Sequence, residues 1–387
     1  MIRYRQVFAV PGMTTLLGVS LVARTAITAD VLALTVIVAL SLHRGYAAAG
    51  AVAAVLTVGL ALGGPLLGRL IDARGLRAVV LVTTVAQAAF WVSVPVLPYA
   101  ILLLAAFPAG LLMVPVQSLT RQAITAMTSP GQRRAAFALE SVQGELSYLA
   151  GPAIVVLGAA SISPAVVAWG IGAAITAGGI GLALLDPPLR AAGEPRAGES
   201  RAGRWLSRRM LAVLVLAAGT TALLSGVDLA IVAVLRQAGQ LSWAAVVVAV
   251  SGAASVLGGL VYGAQSRSLP AWLLLGVLGV VTTSAGLAGN WPWLCVTLAG
   301  AGLLIAPTLS TLADAVSRLA PAAVRGEATG WLSAAQSAGF AFGAPLAGLS
   351  VDTVTPAAGF VAAGVAGLAA ALAGGLLAKR AQVPQNV

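Results

Sequence analysis

The residue types that build catalytic and metal sites are nearly missing from this sequence. Its 387 residues include one cysteine, Cys295, and one histidine, His43. A lone cysteine excludes an intramolecular disulfide and indicates no metal cluster, and no serine and acid can be assembled around the histidine as a triad. No glycine-rich ATP-binding motif is present. We therefore expect no enzyme activity, no catalytic or metal-binding residues and no cofactor; Cys295 is interpreted as a packing residue and His43 as an interfacial one.

Charge is also scarce, and negative charge most of all. Only 9% of the residues are charged, and 11 Asp and Glu stand against 22 Lys and Arg, for a net charge of +11. In a soluble chain this excess would suggest nucleic acid. However, 59% of the residues are hydrophobic and the mean hydropathy is +0.99, which excludes a soluble globular protein. The composition predicts a polytopic protein whose surroundings are a lipid bilayer, with no nucleic-acid partner.

Charged, proline-rich or polar breaks divide the chain into apolar segments, each long enough to span a membrane. A spanning helix needs about 20 apolar residues to cross about 30 Å of hydrocarbon. The first segment is too long for a signal peptide and has no small-residue cleavage site, so it is interpreted as a span. The twelve predicted spans are 14–41, 46–67, 78–97, 99–120, 135–159, 165–185, 210–235, 243–263, 271–289, 293–315, 328–350 and 357–378.

A charged segment separates the first six predicted spans from the last six. Residues 186–209, DPPLRAAGEPRAGESRAGRWLSRR, have no apolar periodicity and are rich in proline and glycine, which predicts a cytoplasmic linker between bundles 1–185 and 210–387. If the N-terminus is cytoplasmic, all 22 basic residues except Arg24, Arg44 and Arg236 fall in inside loops, termini or the linker. The positive-inside rule then predicts cytoplasmic termini in a bacterial-type inner (plasma) membrane.

The two halves resemble each other in sequence. Residues 61–68 read ALGGPLLG and residues 256–263 read VLGGLVYG. At nearly the same offset, Leu139, Gln143 and Pro152 match Leu332, Gln336 and Pro345. The agreement of two separate segments predicts a duplication, which is typical of transporters built from repeats.

The loop after the second predicted span carries a glycine-spaced cluster of charges. Gly68, Asp72, Gly75 and Arg77 form the pattern G-x-x-x-D-x-x-G-x-R. Gly68 would allow a neighbouring backbone to approach closely, and Gly75 would supply a turn that needs positive φ. We expect Asp72 to face a helix N-terminus and Arg77 to lie among lipid headgroups.

This pattern resembles the signature loop between helices 2 and 3 of major facilitator superfamily transporters. The resemblance implies an all-α membrane fold of twelve transmembrane helices, arranged as two pseudo-symmetric six-helix halves, with the loop acting in gating. Gly151 and Pro152 resemble part of the glycine-proline motif of the superfamily's proton-driven drug antiporters, although Val155 and Val156 replace its later glycines. The arginine motif of helix 4 is missing, since Arg121 stands only at the predicted cytoplasmic end of that span.

A few ionisable residues lie inside predicted spans, where a charge costs at least about 2.5 kcal/mol on insertion scales. Arg24 and Glu145 lie about equally deep in the first and fifth spans, so we expect them to pair, either as structural compensation or in coupling. Glu140 would be satisfied by Arg134 or water. Asp314 should pair with Arg318 one turn away.

Two carboxylates, Asp30 and Asp228, occupy similar depths on the first and seventh spans and have no basic partner one turn away. An unpaired buried carboxylate suits reversible proton binding. Asp228 is the first candidate for the coupling site. The alternatives are a hydrogen bond to Ser or Thr, or binding of a cationic substrate.

Several further residues are candidates for a cavity between the halves or for helix bends. Amides and aromatic rings can orient a ligand and supply apolar contact; helix packing explains the same residues nearly as well. The cavity candidates are Gln143, Tyr148, Gln336, Phe340 and Phe342. Pro152 and Pro345 would bend their helices, since proline removes a backbone hydrogen bond.

Together these features predict a monomeric secondary transporter that works by alternating access on a small-molecule substrate. The intramembrane acids and the partial antiporter motif favour proton-coupled efflux of a small, partly apolar compound, driven by the proton gradient. Proton symport or facilitated uptake of a metabolite is one alternative. A non-transporting sensor or scaffold on the same fold is another.

Overall fold

The computed structural model describes residues 2–190, 205–265 and 269–380, and the regular structure of these residues is entirely helical. A π-helical turn, Ile37–Ser41, extends the second α-helix. The α-helices are α1 Ile2–Phe8, α2 Met13–Val36, α3 Tyr46–Arg74, α4 Leu76–Ser93, α5 Tyr99–Leu111, α6 Val116–Met127, α7 Pro130–Ser161, α8 Pro164–Leu185, α9 Arg208–Gln237, α10 Ala244–Ala264, α11 Ala271–Ser284, α12 Trp291–Leu319, α13 Arg325–Thr353 and α14 Ala358–Arg380.

The twelve predicted spans correspond to α2 through α14, with α5 and α6 together forming the fourth. Among the described residues, ten helical segments are long and apolar enough to cross a membrane. Of the other two spans, Ala271–Leu287 is shorter, and α13 carries Arg325 and Glu327 in its first turn. The fold is that of a multi-pass membrane protein.

The fourth span is broken in its middle, where an uninterrupted helix was expected over 99–120. Helix α5 ends at Leu111 and α6 begins at Val116. Pro115 has no N–H to donate, and its ring disfavours helical backbone at Val114. Helix α6 then continues to Met127, beyond the predicted end of the span, so Arg121 lies well inside a helix.

The helices of the two halves pack in the same pattern. Helix α2 packs on α7 and α8, and α9 packs correspondingly on α13 and α14; α3 packs on α5, and α10 on α12. Between the halves, α3 packs against α13 and α10 against α7. The repeated pattern agrees with the predicted duplication. The domain limits 1–185, 186–209 and 210–387 remain a prediction, and linker residues 191–204 lie outside the described residues.

Candidate functional site

We call the end of the helix bundle next to the linker the linker end, and the opposite end the far end. The linker end carries Leu185, where α8 ends, and Arg208, where α9 begins. The far end carries Ser161 and Gln237, where α7 and α9 end. Since each half is a run of alternating helices, α3 ends and α13 begins at the linker end.

At the linker end, a carboxylate of the first half meets the first turn of a helix of the second half. Asp72 Oδ1 accepts a hydrogen bond from the Gly326 amide at 3.0 Å, and Oδ2 accepts one from the Glu327 amide at 2.9 Å. The first amides of a helix have no partner inside the helix, and the helix dipole favours an anion there. We call this contact the Asp72 latch. The predicted geometry of Asp72 is confirmed; its role in gating stays a prediction.

Glycines allow α3 and α13 to touch through their backbones beside the Asp72 latch. A Cβ on Gly68 would lie 2.1 Å from the carbonyl oxygen of Gly326, and one on Gly330 would lie 2.2 Å from that of Gly64. Gly75 has φ of +86°, in the left-handed region. The close approach expected at Gly68 and the positive φ expected at Gly75 are both found.

Arg77 has a protein partner, and its side chain is 63% exposed; the lipid headgroups expected around it stay a prediction. Its Nε lies 3.1 Å from Asp186 Oδ2 and donates to the Ala183 carbonyl oxygen at 3.2 Å. Both partners lie at the end of α8, which follows α7 in the same half. Arg77 therefore fastens the start of α4 to the end of α8.

A second polar contact joins the halves at the linker end, where α10 ends. The Gln265 carbonyl oxygen accepts hydrogen bonds from Arg3 and, at 3.1 Å, from Arg134. Next to it, Tyr4 Oη donates to the Leu260 carbonyl oxygen at 2.6 Å. We call these contacts the Gln265 latch. Helix α1, which the sequence did not predict, supplies two of its donors.

A cavity of about 380 Å³ lies between the halves, farther from the linker end than the two latches. Both halves form its wall. The N-terminal half supplies most of the charged side chains, and the C-terminal half supplies most of the aliphatic ones. The charged and tyrosine side chains in the wall are Arg24, Arg121, Glu140, Glu145, Tyr148 and Asp228.

The buried ion pair of Arg24 has a different partner from the one expected. Arg24 Nη1 lies 2.6 Å from Glu140 Oε1, and Arg121 Nε lies 3.4 Å from the same oxygen. Their side chains are 12%, 3% and 1% exposed for Arg24, Arg121 and Glu140 respectively. The predicted pairing of Arg24 with Glu145 is wrong, and so is the satisfaction of Glu140 by Arg134 or water.

This error follows from where the fifth span begins. It was expected to start at residue 135, whereas α7 starts at Pro130. A shift of five residues moves the position at a given depth by about one and a half turns, from Glu145 to Glu140. The sequence does contain the signal, because Ser129 and Gln132 form a capping box with proline at the first helical position.

Arg121 is the functional candidate that the sequence reasoning missed. The predicted end of the fourth span at residue 120 places it among the cytoplasmic loop residues. In the structure it lies inside α6, and its Nη1 donates to Gln336 Oε1 of α13 at 3.3 Å. The buried charge cluster of the first half is thereby linked to the second half.

The other two cavity acids form no ion pair among the described residues. Tyr148 donates a hydrogen bond to Asp228 Oδ2, which joins α7 to α9 across the interface. Glu145 lies close to both Asp228 and Ser255. Between Tyr148 and the far end of the bundle, no hydrogen bond joins the two halves among the described residues. Two carboxylates from opposite halves therefore share one part of the cavity.

Two predicted site residues lie outside this cavity. Asp30 is buried on α2, and its carboxylate accepts a hydrogen bond from the adjacent Val31 amide. Gln143 donates to the Leu17 carbonyl oxygen at 2.6 Å, which fastens α7 to α2. The expectation that Gln143 lines the cavity is wrong, because its amide is used in packing within its own half.

The remaining candidates divide between the cavity and the helix framework. Gln336 and Phe340 line the cavity as expected, but Phe342 does not, and its side chain is 74% exposed. The expected Asp314–Arg318 pair is present at 3.0 Å. Pro152 and Pro345 lie inside the continuous helices α7 and α13, and the bends expected there stay a prediction.

Solved structures share this architecture over almost the whole chain. The human organic anion transporter MFSD10 (TETRAN) aligns with a TM-score of 0.75 at 16% identity, covering 96% of this chain and 99% of that one. A bacterial homologue of the iron transporter ferroportin, in an outward-facing state, aligns with a TM-score of 0.75 at 14% identity, covering 95% and 99%. The E. coli fucose:proton symporter FucP gives 0.67 at 12% identity, covering 96% and 99%.

By sequence, no family model and no curated protein matches the chain. At identities this low, the structural similarity shows the fold and not the activity. The chain has the major facilitator fold of twelve transmembrane helices, as the sequence predicted.

Proposed function

We propose that this protein is a secondary transporter that works by alternating access and exports a small, partly apolar compound in exchange for protons. The observation that carries the proposal is the cavity between the halves, with Glu145 and Asp228 from opposite halves in its wall. The fold supports transport in general, and these two acids support coupling to protons. The proton gradient supplies the energy, and neither catalysis nor a cofactor takes part.

Alternating access requires a central site that is closed on one side at a time. The Asp72 latch and the Gln265 latch close the linker end. The distribution of basic residues supports a cytoplasmic linker end, with both termini in the cytoplasm of a bacterial-type cell membrane. The described state is then the one closed to the cytoplasm, and both latches must open for the opposite state. One chain contributes the complete cavity, which supports a monomer as the working unit.

The acids of the cavity differ in how their charge is compensated. Glu140 lies between two arginines at ion-pair distance, whereas Glu145 and Asp228 form no ion pair among the described residues, and the charge of Arg24 acts on Glu145 only from farther away. A carboxylate without a cationic partner inside a membrane is stable when it carries a proton, and losing that proton requires another cation or water. Glu145 and Asp228 are therefore the proposed proton-binding residues. Because they belong to different halves, their mutual repulsion changes when the halves move.

The size and lining of the cavity support a small, partly apolar substrate. Its volume of about 380 Å³ falls in the lower part of the range for small-molecule sites, roughly 300–1,000 Å³. Hydroxyl and amide groups for orientation come from Thr28, Gln117 and Gln336. The apolar contacts would come from Leu149, Leu224, Val227, Ile231, Val248, Ile305, Leu309 and Phe340.

Proton movement in energised everted membrane vesicles tests this function. A pH-sensitive dye would follow the pH of the lumen while lipophilic cations, neutral antibiotics and metabolites are added in turn. We expect at least one compound to release protons from the lumen of wild-type vesicles. We expect Asp228→Asn and Glu145→Gln to abolish that release, because each removes a proton-binding group.

The matched control is Asp352→Asn, which removes an exposed carboxylate outside the cavity and should leave the release intact. Uptake of compound together with protons into right-side-out vesicles would identify a symporter instead of an exporter. Proton release that survives both cavity substitutions would contradict the coupling role. No response beyond empty-vector vesicles with any compound would favour the sensor or scaffold alternative.

A further inference from the structure

The charges of the cavity are sorted into two groups along α7. Arg24, Arg121 and Glu140 form one group, which we call the arginine group. Glu145 and Asp228 form the other, the carboxylate group. Glu140 and Glu145 are five residues apart on one helix, which separates the groups by about 7.5 Å along its axis at 1.5 Å per residue.

The arginine group has an excess of positive charge that faces the carboxylate group. One glutamate compensates two guanidinium groups. The Nη2 atom of Arg24 lies over the next turn of α7, where a Cβ on Gly144 would be 2.8 Å from it. A side chain at position 144 would therefore push the guanidinium away from this part of the cavity.

Arg121 contributes the second guanidinium group of this part of the wall. Its side chain is 3% exposed and lines the cavity. Its Nε lies 3.4 Å from Glu140 Oε1, the oxygen that Arg24 also contacts, in a long and poorly aligned interaction. One carboxylate oxygen is thus shared by two guanidinium groups, and a ligand anion would complete the compensation of their charge.

The carboxylate group presents the opposite charge to the same space. Asp228 Oδ2 accepts from Tyr148, and Glu145 lies close by. Neither acid forms an ion pair among the described residues, although Arg24 lies near enough for its charge to act on Glu145. A ligand cation placed here would be attracted by both halves of the protein at once. Aliphatic side chains of the C-terminal half, including Leu224, Val227 and Ile305, line the same cavity.

We propose that the cavity binds a zwitterion, with its anionic group at the arginine group, its ammonium group at the carboxylate group and its apolar body along the C-terminal half. This inference rests on the proposed function, for which it names the class of substrate. A simple cation would leave the excess positive charge of the arginine group uncompensated. A simple anion would meet the repulsion of the carboxylate group, so both fit less well.

Binding to the purified protein in nanodiscs tests the inference without depending on transport. Three probes share one benzene skeleton: 4-(aminomethyl)benzoic acid is the zwitterion, its methyl ester is the cation and 4-methylbenzoic acid is the anion. Titration calorimetry would give the three dissociation constants. We expect the zwitterion to bind at least about tenfold more tightly than either of the others, which corresponds to about 1.4 kcal/mol.

Substitutions in the two groups should remove different parts of the preference for the zwitterion. Arg121→Gln leaves Arg24 to compensate Glu140, so no buried acid loses its only partner, and the zwitterion should lose its advantage over the cation. Arg121→Lys should restore that advantage. Glu145→Gln should remove the advantage over the anion. Arg44→Gln is the control, because Arg44 is exposed at the outer end of the first span, and it should change none of the three constants.

The inference is overturned if the cation or the anion binds as tightly as the zwitterion, if no probe binds, or if the substitutions weaken all probes equally. Its failure is distinguishable from failure of the proposed function. If the zwitterion binds selectively but moves no protons in vesicles, the transport proposal is contradicted and the zwitterion site is still supported. Proton-coupled transport of a compound with a single charge would do the reverse.

Discussion

The two latches at the linker end lie at matching places in the duplicated fold but use opposite ends of a helix. In the Asp72 latch, a carboxylate of the first half meets the amides that begin α13. In the Gln265 latch, arginines of the first half meet the carbonyl oxygen that follows the end of α10. A helix carries partial positive charge at its N-terminus and partial negative charge at its C-terminus. Each latch therefore joins a charge to the complementary helix end.

This difference shows that a duplicated fold can keep a contact while its chemistry changes. The second half has no counterpart of Asp72: Arg267 stands near that position and lies outside the described residues. The two latches are also unequal in packing. Asp72 lies beside the touching backbones at Gly68, whereas the hydrogen bond from Arg3 to Gln265 is exposed. We therefore expect the Asp72 latch, together with its glycine contact, to contribute more to keeping the linker end closed.

The largest effect should come from separating the touching backbones. In Gly68→Ala, the new Cβ would lie 2.1 Å from the Gly326 carbonyl oxygen, so α3 and α13 must move apart. Overpacking of this kind costs about 1–3 kcal/mol. The reporter is maleimide labelling of Ser118→Cys in a Cys295→Ser background, because Ser118 is buried against α13 in the closed linker end. Labelling should accelerate by about tenfold or more, since each 1.4 kcal/mol is a factor of ten.

The control for this prediction is Gly170→Ala, where the added Cβ would meet nothing within 4 Å. It should leave the labelling rate unchanged. If Gly68→Ala labels no faster than the control, the backbone contact does not hold the linker end closed. A loss of folded protein on gel filtration would be distinguished from opening, because it would expose buried positions at both ends.

An intermediate effect should follow from Asp72→Asn. The amide keeps one oxygen to accept a hydrogen bond but loses the charge and the second acceptor, so an interaction worth about 1–2 kcal/mol is weakened. The same Ser118→Cys reporter should label several-fold faster, and Asp72→Glu should not restore the wild-type rate, because its longer side chain does not fit beside Gly326. Wild-type labelling of Asp72→Asn would show that the helix N-terminus is satisfied without the carboxylate.

The first-half side of the Asp72 latch could be predicted from the sequence because its signal is local, whereas its partner, the first turn of α13, could not. Gly68, Asp72 and Gly75 have fixed spacing, and each has a backbone requirement that can be stated for that residue type alone. The twelve spans were predicted for a similar reason, since hydrophobic segment length is set by the thickness of the bilayer; their arrangement as two halves came from the internal repeat and from the resemblance of the loop motif. The Gln265 latch could not be predicted, because a backbone carbonyl acceptor leaves no trace in the amino-acid type.

The cavity was predicted less well because its charges depend on depth, and depth depends on where each helix begins. Moving the start of α7 by five residues changed the partner of Arg24 from Glu145 to Glu140. Sequence symmetry misled in another way: Gln143 and Gln336 match by position, yet Gln143 bonds within its own half and Gln336 accepts from Arg121 across the interface. A repeat fixes which backbone positions correspond, and the partner of each side chain depends on what the other half presents there.

The smallest effect should come from the arginines of the Gln265 latch. Arg3 and Arg134 donate to the same carbonyl oxygen, so either one can satisfy it, and a partly exposed charged contact of this kind is worth about 0.2–1 kcal/mol in total. Arg3→Gln or Arg134→Gln alone should hardly change labelling of Ser118→Cys, and the double substitution should raise the rate by no more than about fivefold.

The response of the labelling rate to salt distinguishes the Gln265 latch from the Asp72 latch. Raising the ionic strength from about 0.1 M to about 1 M shortens the Debye length from about 10 Å to about 3 Å and screens exposed charges much more than buried ones. Labelling of the wild-type reporter should therefore rise slightly with salt, the Asp72→Asn variant should keep that response, and the double arginine variant should lose it. A salt response that disappears in Asp72→Asn and persists without Arg3 and Arg134 would reverse the ranking of the two latches.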